Sequence, residues 1–297
     1  MPEEYINSIC FNNTEGLSLS ETLDCGQCFR WHSGENGEWM GIIGKNNIRL
    51  NLIDGALYVS GAENPEQIYD YFDFKSNYNE IRKELNEYPP LTNAIAYTSG
   101  IRILRQDFFE TLITFILSQN NNIPRIKGLV EALCRSFGEK IGDELFAFPD
   151  AVTLAGLSEE RLSQIKCGFR SRYIIDAARK VNQGIINPAI AADLPLEEAE
   201  DYLCQIVGVG KKVADCTLLF GLNRLDAYPV VVWIKRAQKN FFPQGLPLEL
   251  SPIAGIAQQF LFNYIRTSPD TEYIRQAEKE EKRIEKEIKA KKKAAKI

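Results

Sequence analysis

The sequence predicts an α+β protein in which an antiparallel β-sheet precedes an all-helical region. Two observations predict it: the hydrophobic spacing changes from a two-residue to a helical period near residue 100, and turn residues crowd the stretch before that point. The chain has 297 residues, 44% hydrophobic and 25% charged, the composition of a globular protein with room for one large domain or two ordinary ones. The expected division is an N-terminal antiparallel β domain over 1–98, a helical domain over 99–270 and a charged tail over 271–297.

In the first part, short apolar runs are separated by Ser33-Gly34-Glu35-Asn36-Gly37, Lys45-Asn46-Asn47 and Asp54-Gly55. Ile48, Leu50 and Leu52 alternate with Arg49 and Asn51, the pattern of a strand with one face on a core, and Phe29-Arg30-Trp31 reads as another strand. From about residue 100, Phe109, Leu112, Ile113 and Ile116 share one helical face, and Ile126, Leu129, Val130 and Leu133 repeat the spacing. Pro124 suits a first turn and Gly138 lies just past the helix end. Further helices are expected at about 159–166, 171–183, 196–205, 211–222, 232–241 and 252–266. Residues 272–297 are mostly Glu, Lys, Arg and Ala, a solvated helix or disordered tail, in which Lys291-Lys292-Lys293 is a nucleic-acid contact or a solubilising cluster.

No stretch approaches the roughly 18 uninterrupted apolar residues of a membrane helix, and Met-Pro-Glu-Glu-Tyr is acidic where a signal peptide is basic and then apolar. The expected setting is cytoplasmic, in association with the nucleoid, and no membrane partner is expected. Seven scattered cysteines suit free thiols in a reducing compartment. Cys25-Gly-Gln-Cys28 lacks both the second pair of a zinc site and the strand-to-helix setting of a redox centre, and His32 is the single histidine, so two small buried thiols are expected. The net charge of −5 opposes a broad DNA-coating surface. Since 271–297 holds ten Lys/Arg and six Asp/Glu, that tail carries +4 and the remainder −9. Any contact with nucleic acid in the body must be concentrated in helix N-termini and a few arginines.

The most informative segment is Leu203-Cys204-Gln205-Ile206-Val207-Gly208-Val209-Gly210-Lys211-Lys212-Val213-Ala214. Gly208 and Gly210, one residue apart, break one helix and permit another to begin at once, leaving the first amides of the second helix, up to Val213, outward and unpaired. A phosphate is a natural ligand for such amides, although a plain αα corner fits the segment as well. Lys212 falls where the helix dipole and neighbouring Lys211 both disfavour a protonated amine, and a neutral amine is a nucleophile. It can attack a nucleotide's anomeric carbon, displace the base and leave a Schiff base that permits β-elimination. A lysine here also suits a plain phosphate contact.

Five motifs in order carry a resemblance that runs from about Leu19 to Arg266: Gly26-Gln27-Cys28-Phe29-Arg30-Trp31, Gln119-Asn120-Asn121-Asn122-Ile123-Pro124-Arg125-Ile126, Gly168-Phe169-Arg170-Ser171-Arg172-Tyr173, Gly208 to Cys216, and Ala257-Gln258-Gln259-Phe260-Leu261-Phe262. In these the chain resembles the 8-oxoguanine DNA glycosylase/AP lyase family of the helix-hairpin-helix superfamily. The resemblance implies a helix-hairpin-helix DNA glycosylase domain after the sheet, and base-excision repair by Lys212. Gly26 would offer its carbonyl to the N7 hydrogen that 8-oxoguanine has and guanine lacks. Cys216 and Phe262 would sandwich the flipped base, and Gln258 would bond its Watson-Crick edge. Asn120 would fill the gap left in the duplex, with Asn121 beside it at the DNA. Arg125 and Arg170 would bind the estranged cytosine, and Phe169 would wedge beside it.

The resemblance implies no required cofactor, though a monovalent or calcium ion is suggested on the backbone carbonyls of Cys204, Ile206 and Val209. The partner implied is double-stranded DNA with 8-oxoguanine opposite cytosine, bound by a monomer. The iron-sulfur cysteines of related glycosylases are absent from the C-terminal region. One departure matters. The family pattern Pro-Val-Asp reads Pro229-Val230-Val231 here, and valine neither caps a helix nor balances a cationic sugar. Either Lys212 works at reduced rate or with another carboxylate, Asp215 and Asp226 being nearest in sequence, or the chain binds the lesion with impaired catalysis.

Overall fold

The computed structural model describes residues 8–12, 14–277, 279–280, 283 and 287. Among them the first element is an antiparallel sheet in the order β1-β5-β4-β3-β2. Its strands are β1 (Ile9–Phe11), β2 (Trp31–Ser33), β3 (Trp39–Ile43), β4 (Asn46–Ile53) and β5 (Ala56–Ser60), with α1 (Leu19–Leu23) inserted after β1. The pairing of Ile53 with Ala56 leaves Asp54-Gly55 as a two-residue hairpin loop, with φ of 50° and 80°, the left-handed turn that matches strand twist. Ile48 and Leu50 are fully buried and Arg49 is exposed, as the alternation predicts. The buried side chain of Trp31, the first residue of β2, donates its indole N–H to the Tyr71 hydroxyl at 2.8 Å.

Two expectations need correction here. The sheet ends at Ser60, and the next forty residues form α2 (Pro65–Tyr71), α3 (Tyr78–Leu85) and α4 (Pro89–Tyr97). Asn64 and Asn77 cap the first two by accepting backbone N–H groups, and Pro65 and Pro89 occupy first turns. Tyr78, Leu85, Leu91 and Ile95 of α3 and α4 belong to the larger, helical core rather than to the core under the sheet. Phe29 and Arg30 are not strand: extended pairing starts at Trp31, because the chain is still leaving a tight turn through Gly26.

The helical region comprises α5 (Phe108–Leu117), α6 (Ile123–Phe137), the short hairpin β6 (Lys140–Gly142) and β7 (Leu145–Phe146), α7 (Ala151–Ala155), α8 (Glu159–Ser163), α9 (Arg170–Asn182), α10 (Pro188–Asp193), α11 (Leu196–Cys204), α12 (Lys211–Leu222), α13 (Val232–Phe241) and α14 (Ala254–Thr267). α5 is buried on nearly every side and packs against α12 and α9, so it is the central rod of this half. Packing continues past the expected start of the tail. Thr271 and Ile274 are buried, and Arg275 donates to the Ile265 carbonyl at 2.9 Å. Lys291 to Lys293 lie outside the described residues. Among the described residues no helix is long and apolar enough to cross a membrane.

The two halves meet along an irregular segment at 101–106, whose first four residues are buried. The five amides from Arg102 to Gln106 are each bonded by a different part of the chain. Arg102 N–H donates to Thr22 Oγ1 (3.2 Å), Ile103 N–H to the Tyr78 hydroxyl (2.8 Å), Leu104 N–H to Gln27 Oε1 (2.9 Å), Arg105 N–H to the Tyr71 carbonyl (2.9 Å) and Gln106 N–H to the Phe220 carbonyl (2.9 Å). Gln27, 1% exposed, also donates Nε2 to the carbonyls of Thr22 (2.9 Å) and Arg102 (2.8 Å). Replacing it with leucine, Gln27→Leu, strands the buried Leu104 amide and two carbonyls, and is expected to cost about 3 kcal/mol in urea unfolding.

Candidate functional site

The hairpin forms where the glycines permit it. α11 ends at Cys204, the Ile206 amide turns back to the Leu203 carbonyl (3.1 Å) and the Val209 amide to the Ile206 carbonyl (3.0 Å). Gly208 takes φ +80° with its α-carbon against the Tyr173 ring of α9, where an added Cβ would lie 2.4 Å from ring carbons. Gly210 is the N-cap of α12, and no side chain caps that helix. Its first turn therefore presents the Lys211 and Lys212 amides beside exposed Gly208 and Val207, but the expected free amide of Val213 is corrected: Val213 is buried and its N–H bonds the Gly210 carbonyl at 2.9 Å.

Three residues of α9 hold the hairpin from behind. Tyr173 fills the space under Gly208, Asp176 Oδ2 accepts the Val207 amide at 2.7 Å, and Lys180 Nζ bridges Asp176 Oδ2 (2.8 Å) and the Gln205 carbonyl (2.5 Å). Sequence reasoning missed Asp176 and Lys180. The one available signal was their spacing, three and seven residues after Tyr173, which puts all three on one helical face.

Lys212 is half-buried in the first turn of α12. Its Nζ donates to Ser118 Oγ at 2.7 Å and lies 5.1 Å from the centre of the Phe115 ring. The expected influence of Lys211 is corrected: its ammonium bonds Glu200 and lies 3.7 Å from Asp215 Oδ1, so its charge is matched on the other side of the helix. Burial, then repulsion from Glu200, push the Asp215 carboxyl up to about 8. Asp226 is paired with Arg224 through bonds of 2.7 and 2.9 Å. Of the two carboxylates named as candidates to assist Lys212, Asp226 is thus engaged by Arg224, and Asp215 is buried beside Lys211 and Glu200. Cys216, one turn beyond Lys212, is buried, which pushes its thiol up to about 11 while Lys212 pulls the other way.

A second group gathers at Gly26, whose φ is +81°. A Cβ there would meet Ile123 Cδ1 at 3.2 Å and the Phe262 ring at 3.5 Å. α14 supplies Phe262, buried Gln258 and Gln259, the last donating to the Cys25 carbonyl at 2.9 Å. Cys25 and Cys28 are buried free thiols, as expected, and burial raises both; the Cys25 thiol is pushed up to about 11. Gln258 Oε1 and Gln119 Nε2 are buried polar atoms without a protein partner, which leaves each free to take a further hydrogen bond.

The turn between α5 and α6 joins these groups, because Ser118 touches Lys212 and Ile123, five residues on, touches Gly26. Asn120 is exposed at φ +52°, and Arg125 is exposed one turn into α6. Asn121 faces inward, its amide donating to the Leu117 carbonyl at 2.7 Å. Arg170 also turns inward, 6% exposed, bonding the carbonyls of Gln119 (3.0 Å from Nε) and Cys167 (3.1 Å). Phe169 at the N-cap of α9 is 49% exposed, with its ring 4.4 Å from the Arg170 guanidinium. Val231 is the N-cap of α13, which has no side-chain cap, and Val232 after it is 57% exposed.

The family model described as 8-oxoguanine DNA glycosylase, N-terminal domain, matches residues 8–112, and that of the HhH-GPD superfamily base excision DNA repair protein matches 113–244. The N-glycosylase/DNA lyase of Saccharomyces cerevisiae is 30% identical over 77% of this chain and 69% of its own length. The N-glycosylase/DNA lyase OGG1 of Arabidopsis thaliana is 30% identical over 84% of this chain and 73% of its own. The 8-oxoguanine glycosylase/lyase of Clostridium acetobutylicum, solved with double-stranded DNA containing cytosine opposite 8-oxoguanine, superposes with a TM-score of 0.81 at 34% identity, covering 87% of this chain and 95% of that one.

The buried carboxyl beneath the hairpin has a measurable consequence. A raised Asp215 means that the folded chain holds this proton more tightly than the unfolded one, whose value is near 3.8. Its contribution is fully present below that value and is lost as pH rises to about 8. Urea unfolding as a function of pH should show stability falling across this window, and Asp215→Asn should flatten part of the fall.

Proposed function

This chain belongs to the 8-oxoguanine DNA glycosylase family, and from that premise we propose that it excises 8-oxoguanine from duplex DNA and cleaves the strand at the resulting site through a Schiff base on Lys212. The observation that carries the reading is the shared turn at 118–123, which sets the amine of Lys212 on one side and the Gly26–Phe262 pocket on the other. Amine attack on C1′ breaks the bond to the base, whose nitrogen keeps the electron pair and takes a proton. The sugar ring opens to an imine, which acidifies the C2′ hydrogen so that the 3′ phosphate leaves by β-elimination.

The remaining residues fit roles around that step. Gly26 offers its carbonyl to N7–H, Phe262 and Cys216 enclose the flipped base, and the unpartnered Gln258 Oε1 accepts from its Watson-Crick edge. Phe169 wedges the duplex and Asn120 fills the vacated space, while Arg125 reads the opposite cytosine. Arg170 and Asn121 take part from their inward positions, bracing the turn that carries Asn120. Amides of α12 and the hairpin glycines grip phosphate.

No cofactor enters these steps. The carbonyls of Cys204, Ile206 and Val209 are an all-oxygen set that suits a hard monovalent or calcium ion. The turn is already closed by the Val209–Ile206 bond, so an ion would tighten it without creating it. A monomer in the cytoplasm, working at the nucleoid, completes the reading.

Val231 favours a second reading, lesion binding with impaired excision, because nothing acidic replaces the missing carboxylate at the start of α13. Borohydride trapping on a duplex with 8-oxoguanine opposite cytosine separates the two. The unaltered chain is expected to give a covalent adduct that Lys212→Gln abolishes, and Val231→Asp should accelerate it by about 100-fold, the scale of one charge-stabilising group. Tight lesion binding without adduct, restored by Val231→Asp, would establish the second reading. No preference for the lesion in either assay would overturn the base assignment.

A further inference from the structure

Lysine is a long, rotatable stem, and a nucleophile at its tip reacts well only if the tip is held. What holds it here is Ser118. α5 ends at Leu117 and Ser118 is its C-cap, with φ −70° and ψ −16°. In that position its hydroxyl donates to the Phe115 carbonyl one turn back, at 2.7 Å. The hydrogen is therefore committed, and the oxygen faces Lys212 as an acceptor only, receiving Nζ at 2.7 Å. The Phe115 ring, 5.1 Å from the same nitrogen, lines the other side.

We propose that Ser118 is a positioning residue for Lys212, fixing the amine in one rotamer from which attack on the sugar begins. The hold does not depend on protonation state. An ammonium and a neutral amine both have an N–H to give, and once the neutral amine gives one to Ser118 its lone pair is directed by that bond. With Val231 at the start of α13, no acidic cap on that helix shares the task. The end of α5 does not need the hydroxyl: the Ser118 amide bonds the Thr114 carbonyl at 2.9 Å, and Asn121 closes the turn through its amide to the Leu117 carbonyl at 2.7 Å.

The inference rests on the Schiff-base reading, and single-turnover borohydride trapping on a duplex that already contains an abasic aldehyde tests the two separately. At saturating protein, Ser118→Ala is expected to trap about tenfold more slowly than the unaltered chain, the scale of one hydrogen bond to a charged or reacting group. Affinity for a duplex with a tetrahydrofuran abasic analogue and the melting temperature should stay the same, and Ser118→Thr should recover most of the rate. Trapping by Ser118→Ala at the unaltered rate would overturn the assignment. So would a loss matched by an equal loss of duplex affinity, or a threonine variant no faster than alanine. If the unaltered chain itself forms no adduct, the Schiff-base reading fails first and the role of Ser118 falls with it.

Discussion

The structure depends on satisfying a buried strip of backbone. Segment 101–106 passes between the sheet and the helices with no regular partner strand, and four helices and the turn at Gln27 each bond one of its amides. Leaving such groups unpaired away from water costs far more than a typical contact returns, so the requirement fixes where those elements sit. Gln27 does the most, with both ends of its side-chain amide and its own carbonyl engaged, the last by Gln106 Nε2 at 2.8 Å. Gln106 in turn bonds the Phe220 carbonyl in α12. The turn with Gly26 and the helix with Lys212 are thereby two ends of one hydrogen-bonded chain, and the pocket and the nucleophile keep their separation because the seam does.

α9 imposes a second fixed distance. Its N-cap is the exposed Phe169, and its inner face reaches Lys180, about 16 Å further along at 1.5 Å per residue. At one end Arg170 locks the 118–123 turn through the Gln119 carbonyl, and at the other Asp176 and Lys180 lock the hairpin. In the proposed complex, the ring that wedges the duplex and the amides that grip phosphate are thus set by one rigid helix. That geometry is independent of sequence in the DNA, so discrimination falls to the small group around Gly26.

Much of this was legible along the chain, and the failures have physical causes. α11, α12 and α13 stand where the glycines and apolar spacing put them, because those signals are local. α2, α3 and α4 were hidden inside an expected sheet because helices of seven to nine residues are too short to display a helical period, even though Asn64-Pro65, Asn77 and Pro89 mark their starts. Lys212 was legible through its motif, but Ser118, which holds it, is 94 residues away, and no spacing rule reaches that far. The inward turn of Arg170 escaped for a related reason. A charged residue reads as exposed until the fold supplies the carbonyls of Gln119 and Cys167.

The electrostatics around Val231 bear on the two halves of the chemistry unequally. Glu200 is matched by Lys211 and Asp226 by Arg224, while burial and the Glu200 charge raise the Asp215 carboxyl and favour its protonated form. The uncapped start of α13 adds the positive end of a helix dipole. In the proposed reaction, breaking the bond between sugar and base develops positive charge at C1′, and Val231 offers no carboxylate to balance it. Once an abasic aldehyde exists, imine formation by Lys212 and loss of the 3′ phosphate need no such charge at that point. On the proposed chemistry, Val231 therefore bears on the step that releases the base rather than on strand cleavage at a site already emptied.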